Sequence, residues 1–153
     1  MAITSFTLDA SADGLKLAGL LSVPDAKDTA PRGIVQLVHG MCEHKERYIP
    51  LMDFLSANGL VCVIHDHRGH GASVKCPEDL GYMYDGGWAA MVEDVRVVND
   101  WIKTQYPGLE VILYGHSMGS MVVRSFIKRH DDRVAALLVS GCPVDNPAKG
   151  AGK

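Results

Sequence analysis

The sequence predicts an α/β domain with a mostly parallel sheet and helices on both faces. Three observations carry this. After two initial strands, strand-type and helix-type segments alternate, the order that a parallel sheet with crossover helices requires. Residues 33–38 (GIVQLV) and 60–64 (LVCVI) are continuously apolar, the pattern of strands covered on both sides. Residues 88–105 carry one apolar stripe, formed by Trp88, Met91, Val92, Val95, Val98, Trp101 and Ile102, with Glu93, Asp94, Arg96 and Lys103 largely off it.

Taken in order, residues 3–9 and 15–23 read as strands, joined by a turn at Ala12-Asp13-Gly14. Residues 24–32 form a polar loop with two prolines. Strand 33–38 ends in His39-Gly40. Residues 48–58 have helical spacing, with Ile49, Met52 and Leu55 at three-residue steps, and Asn58-Gly59 stops the helix. Strand 60–64 follows. Residues 65–87 form a loop rich in Gly, His and Asp, and loops of that length in a compact domain are often functional. Helix 88–105 is closed by Pro107-Gly108. Residues 110–114 read as a strand, 117–130 as a helix and 134–140 (VAALLVS) as a final strand.

The 153 residues suffice for one domain of ordinary size. Hydrophobic residues make up 47% and charged residues 22%, the balance of a folded protein. A net charge of −3 gives no electrostatic footprint for nucleic acid. The start has no signal-peptide pattern, and no apolar run reaches membrane-span length. Cys42, Cys62, Cys76 and Cys142 are widely spaced with no C-x-x-C pair, which points to reduced thiols and a cytoplasmic protein.

The strongest chemical signal is Gly115-His116-Ser117-Met118-Gly119, a G-x-S-x-G pattern. The pattern alone arises by chance in roughly one chain of this length in twenty. Here a strand precedes it and a helix follows, the arrangement in which the serine rides a strained turn. Gly115 and Gly119 let strand and helix pass closely. The hydroxyl is held clear of the sheet as a nucleophile, and the helix start offers N–H groups to an oxyanion. The plainer reading is a tight turn with an idle serine. A second signal is His39-Gly40-Met41 at the end of strand 33–38. In this architecture the loop there supplies one oxyanion donor and the residue after the nucleophile supplies the other. The expected donors are therefore the backbone N–H groups of Met41 and Met118, each worth about 3 kcal/mol of transition-state stabilisation. Their side chains are compatible with ordinary core packing. His39 is expected to hydrogen-bond the loop rather than act in catalysis, and His116 to leave the turn in another direction. His39, Gly40, Gly115, His116 and Gly119 thus shape the site.

Together, HGMCEHKERY (39–48), DHRGHGAS (66–73) and GHSMG (115–119) resemble the monoglyceride lipase and lysophospholipase group of α/β-hydrolase fold serine hydrolases. The similarity spans nearly the whole chain. It departs at Cys42, where glycine is common, and at Ser120, where a glycine often follows the elbow. The resemblance implies an eight-stranded sheet, a lid after the sixth strand, and hydrolysis of carboxylic esters such as lysophospholipid, monoacylglycerol or a related acyl ester through an acyl-enzyme. It implies no cofactor and no metal, and leaves room for peripheral membrane or lipid contact by a full-length protein.

It also implies a chain of roughly twice this length, whose acid and histidine follow the nucleophile beyond the lid. Only 36 residues follow Ser117. They hold His130, about 20 Å along the same helix at 1.5 Å per residue and too far to act as base, and the acids Asp131, Asp132 and Asp145. The tail from Pro143 resembles the start of a lid. Residues 1–153 are thus expected to be the amino-terminal part of one hydrolase domain, truncated after the sixth strand, with lid and carboxy-terminal part absent. The alternative is a catalytically inactive fragment or pseudo-hydrolase acting through a partner chain. Truncation would leave strand 134–140 as a sticky edge, predicting self-association or pairing with a separate carboxy-terminal polypeptide.

His65-Asp66-His67-Arg68-Gly69-His70 is a near match to H-x-H-x-D-H, the metal motif of the metallo-β-lactamase superfamily. Gly69 stands where that motif needs an acid. The expected role is a polar loop over the site mouth with its groups hydrogen-bonded to one another, and no zinc.

Overall fold

A computed structural model describes residues 2–25 and 30–143. Six strands form one sheet: β1 (Ala2–Asp9), β2 (Lys16–Val23), β3 (Gly33–Val38), β4 (Leu60–His65), β5 (Val111–His116) and β6 (Ala136–Ser140). Their spatial order is β1-β2-β4-β3-β5-β6. β1 pairs antiparallel with β2, and β2 antiparallel with β4. The pairs β4–β3, β3–β5 and β5–β6 are parallel. The predicted fold class is therefore the observed one: a mostly parallel sheet with three helices, α1 (Ile49–Ala57), α2 (Gly87–Gln105) and α3 (Met118–His130).

Successive strand residues point to opposite faces, and that periodicity divides the core. Val35 and Leu37 of β3 and Cys62 and Ile64 of β4 pack against Tyr48 and Met52 beside and on α1. Ile34 of β3, Val61 and Val63 of β4 and Val111 of β5 face the other way, onto Val98 and Ile102 of α2. Val38 and Leu113 complete that second face with Met91 and Val95 of α2 and Val122, Val123 and Phe126 of α3. Apolar burial on both sides explains why these strands read as unbroken apolar runs. Gln36 is the exception within β3. Its amide donates to the Val95 carbonyl (2.9 Å) and its oxygen accepts from the Asn99 amide (2.9 Å), tying α2 to the sheet. Ser22 and Ser56 share a buried hydroxyl hydrogen bond of 2.6 Å between β2 and α1.

Element edges differ from the sequence reading in small ways. Tyr48 belongs to a 3-10 turn (Lys45–Tyr48) that leads into α1. His65 closes β4 and Gly87 opens α2, shortening the loop at both ends, and Pro77–Asp79 adds a 3-10 turn inside it. β5 starts one residue later than predicted and runs on to His116, because its parallel pairing with β3 and β6 continues past Tyr114. Ser117 caps α3 rather than starting it. Val134 and Ala135 precede β6. The expected lid start beyond Pro143, Asp145, and part of the polar loop at 24–32 lie outside the described residues. Among the described residues no helix is long and apolar enough to cross a membrane.

Candidate active site

Ser117 joins β5 to α3 with φ 50° and ψ −118°, a backbone state that L side chains rarely adopt. Three local features hold it. Its N–H donates to the Ser140 carbonyl (2.9 Å), and its own carbonyl accepts from the Ser120 N–H (2.9 Å) and the Ser120 hydroxyl (2.6 Å). The two flanking glycines are required by contact. A Cβ on Gly115 would lie 2.5 Å from the Gly119 carbonyl oxygen, and one on Gly119 would lie 2.2 Å from the Val38 carbonyl oxygen. Gly119→Ala is therefore expected to destabilise the protein by about 3 kcal/mol, the upper range of overpacking costs. Thermal unfolding measures it, and a shift under one degree would mean the turn is looser than described.

The loop after β3 lies against the turn. A Cβ on Gly40 would sit 3.1 Å from the Ser117 Cβ and 3.4 Å from the His116 carbonyl oxygen. The Gly40 N–H is itself occupied, donating to Glu43 Oε2 (2.7 Å). That same oxygen accepts from the Tyr48 hydroxyl (2.9 Å), and Arg47 lies 3.2 Å from the other carboxylate oxygen. Burial would raise the Glu43 carboxyl, but the Gly40 N–H and the Tyr48 hydroxyl outweigh it and hold it below the ordinary carboxylate range. Burial and Glu43 together push the Tyr48 hydroxyl up. Met41 follows and is 67% exposed, so its side chain stays out of the core packing with which the sequence was compatible. Its position on the rim of the loop, beyond the sheet, explains why. Met118 packs partly against the α2–α3 core as expected, and opens α3 where helix N–H groups lack intrahelical partners.

His39 and His67 clasp each other's backbone. The His67 N–H donates to His39 Nε2 (3.0 Å), and His67 Nε2–H donates to the His39 carbonyl (2.9 Å). His39 Nδ1–H donates to the Gly40 carbonyl (2.7 Å). Both ring nitrogens of His39 are thus committed to the loop. Burial drives its pKa down to about 4, so the ring is neutral at pH 7. His116 points its Nδ1 toward the Ser140 hydroxyl at 3.4 Å, and His130 packs on Phe126 at the far end of α3.

The histidine-rich loop is organised by its charged members. Asp66 accepts from the Lys45 N–H (2.7 Å), Lys45 Nζ (2.7 Å) and the Ala72 N–H (2.8 Å). Arg68 is fully buried and reaches Asp94 on α2 and Asp13 in the β1–β2 turn. His70 borders an open cleft of about 470 Å³ with Cys42, Glu43, His44, Gly71 and Leu80, beside the loop that touches Ser117. Among the described residues no group of three His, Cys, Asp or Glu side chains could hold a metal ion. The roles of Glu43, Asp66 and Arg68 were missed in the sequence reading. Glu43 and Asp66 fall within the quoted motifs, but their partners, a mixture of backbone N–H groups and side chains, are brought to them only by the fold.

The sheet order, the helices on both faces and the sharp β5–α3 turn define an α/β-hydrolase fold. The chain belongs to the Hydrolase_4 family, described as serine aminopeptidase, S33, whose sequence model matches residues 29–151. Its resemblance to monoglyceride lipases holds within that family. It is 36% identical over 118 residues to the monoacylglycerol lipase of Mycolicibacterium smegmatis, covering 77% of this chain and 40% of that protein. It is 32% identical to human monoglyceride lipase, covering 76% of this chain and 37% of that one. The structure matches a thermostable carboxyl esterase from Bacillus coagulans in complex with glycerol, with a TM-score of 0.86 and 30% identity over 99% of this chain and 48% of that chain. A soluble variant of the Saccharomyces cerevisiae monoglyceride lipase shares the fold, with a TM-score of 0.76 at 22% identity. The chain thus spans less than half the length of these relatives.

Proposed function

We propose that this chain carries the nucleophile and oxyanion-binding part of a serine hydrolase of carboxylic esters, with monoacylglycerol or a related lipid acyl ester as the substrate class. The observation that carries the reading is the strained backbone of Ser117, held between Gly115 and Gly119 with the Gly40 backbone against its Cβ. A serine so placed presents Oγ away from the sheet. Oγ attacks the ester carbonyl while a base takes its proton. The backbone N–H groups of Met41 and Met118 receive the oxyanion, the alcohol leaves with the proton, and water then cleaves the acyl-serine ester. The names of the relatives as lipases and a carboxyl esterase support the substrate class.

Three histidines near the nucleophile in sequence or space are engaged elsewhere. His39 is committed to backbone partners, His116 faces Ser140, and His130 sits a helix length away. In this reading a histidine and an acid outside the described residues activate Ser117. Two measurements test this. Any fluorophosphonate adduct should form at Ser117 and at no other residue, at the slow rate of an unactivated serine, read by peptide mass after long exposure, and Ser117→Ala should abolish it. Ester turnover by the 153-residue chain alone should fall about 10⁴-fold or more below that of a complete hydrolase of the family. Adduct formation at another residue would end the assignment.

A further inference from the structure

Outside the core contact between α2 and α3, the two helices leave an open groove of about 270 Å³. α2 lines it with Val92, Glu93 and the Trp88 indole, and α3 with Ser125, Lys128, Arg129 and His130. Trp88 is 37% exposed, and Lys128 and Arg129 are exposed as well. Among the described residues, the Ser125 hydroxyl, the Lys128 ammonium, the Arg129 guanidinium and the Trp88 indole N–H have no hydrogen-bond or ion-pair partner. All four can donate, and two carry positive charge. The one acid in the groove, Glu93, is already engaged, accepting from Arg96 and from the Ser11 hydroxyl. Asp131 and Asp132 follow α3 in a 3-10 turn and do not line the groove. Basic residues in a last helical turn complement the negative end of the helix dipole. That accounts for the charges of Lys128 and Arg129, but not for an uncovered indole and an apolar lining beside them.

We propose that this groove binds a carboxylate anion that carries an apolar chain. The carboxylate accepts from Lys128 and from the Arg129 guanidinium, whose planar fork matches its two oxygens. The chain lies over Val92 and the Trp88 ring, where it leaves water. Both halves of such a ligand are used. A bare anion would leave the apolar lining idle, and a purely apolar molecule would gain nothing from the two cations. A concave site also suits one small molecule better than the broad surface of a membrane. The groove is separate from the candidate active site, since Ser117 caps the start of α3 and Lys128 and Arg129 lie in its last turn. If the hydrolase reading above holds, this ligand is of the same class as the acid that ester cleavage releases. Binding in the groove does not depend on that reading.

The test titrates the full 153-residue chain with octanoate, below the concentration at which it forms micelles, and follows proton–nitrogen NMR spectra. The Trp88 indole signal, assigned with Trp88→Phe, and the amides of residues 125–130 should shift together and saturate. Octanol has the chain without the charge and should bind at least about tenfold more weakly. Inorganic phosphate has charge without the chain and should leave the indole signal unmoved. Lys128→Gln combined with Arg129→Gln should weaken octanoate binding at least about tenfold, with the fold retained by circular dichroism, since both side chains are exposed. Ser117→Ala should bind octanoate in the groove unchanged, so a failure of the ester chemistry and a failure of the groove read separately. Equal affinity for octanol, a phosphate response matching that of octanoate, or shifts confined to the residues around Gly40 and Ser117 would each overturn the proposal. So would the absence of any shift, or Trp88-dependent pelleting with phosphatidylglycerol vesicles without saturable octanoate binding.

Discussion

Replacing Arg68 with methionine is expected to cost about 3–5 kcal/mol, a large part of the stability of an ordinary domain. The guanidinium is fully buried. It meets Asp94 through Nε at 2.7 Å and Nη2 at 3.0 Å, and Asp13 through Nη1 at 2.9 Å. Burial disfavours its charge, but the two carboxylates outweigh that and keep its pKa raised. The large effect comes from what is left behind. The Asp94 side chain has no exposed surface and would face an apolar sulfur in place of its counter-ion. Asp13 is 26% exposed and can rehydrate. The paired change Arg68→Met with Asp94→Leu should therefore recover most of the loss, because an apolar pair of similar volume removes the orphaned charge. Urea denaturation of the three proteins measures both. A single-variant cost below 1 kcal/mol would show that Asp94 reaches water. The consequence is local as well as global, since Arg68 ties the long loop at once to α2 and to the β1–β2 turn.

Acidification from pH 6.5 toward 4 is expected to remove several kcal/mol of stability, with the buried histidines His39 and His65 as a main source. His39 titrates at about 4 and His65 at about 3, both driven down by burial from an ordinary value of 6.5. The folded state therefore binds these protons more weakly than the unfolded state does. Their contribution is complete above pH 6.5 and shrinks as pH falls toward the folded values. His67 shifts the same way, with burial as the main cause and the neighbouring histidines opposing a further charge. The rings of His39 and His67 lie 4.3 Å apart, and those of His65 and His67 5.6 Å apart. Protonating His39 would also place a hydrogen on Nε2, facing the His67 N–H that it now accepts. Carboxylates held low, such as Glu43 and Asp13, lose their contribution below about pH 4.5, so the histidine effect is read separately above that pH. Denaturant unfolding at pH 7, 5.5 and 4.5 reads the slope. His65→Leu should flatten it by roughly one proton, since neither ring nitrogen of His65 has a partner among the described residues. An unchanged slope would mean that His65 is not sequestered.

The sequence exposed what is local and withheld what is distant. β3 and the β5–α3 turn were legible because apolar runs and the glycines around Ser117 encode them within a few residues. The placement of β4 between β2 and β3 was not, since it depends on pairings such as Leu20 with Ile64 and Val35 with Cys62. Within the site, Ser117 and Gly40 were named from motifs, yet their contact appears only when β3 and β5 lie side by side. The His39–His67 clasp spans 28 positions and the Arg68–Asp13 bond 55, beyond any periodicity. The exposure of Met41 was not legible either, because an apolar side chain next to a strand end is compatible with core, and nothing in the sequence marks the rim of a cleft.

Among the described residues, eleven adopt left-handed backbone angles, and eight of them are glycine, which does so without steric cost. The other three are Cys42, Tyr84 and Ser117. Two of these three belong to the segments that meet at the candidate site, Cys42 in the loop after β3 and Ser117 at the head of α3. A turn kept for shape alone would be easier to build from glycine. Holding side chains in such a posture lowers durability, and that cost falls where a side chain meets whatever enters from solvent.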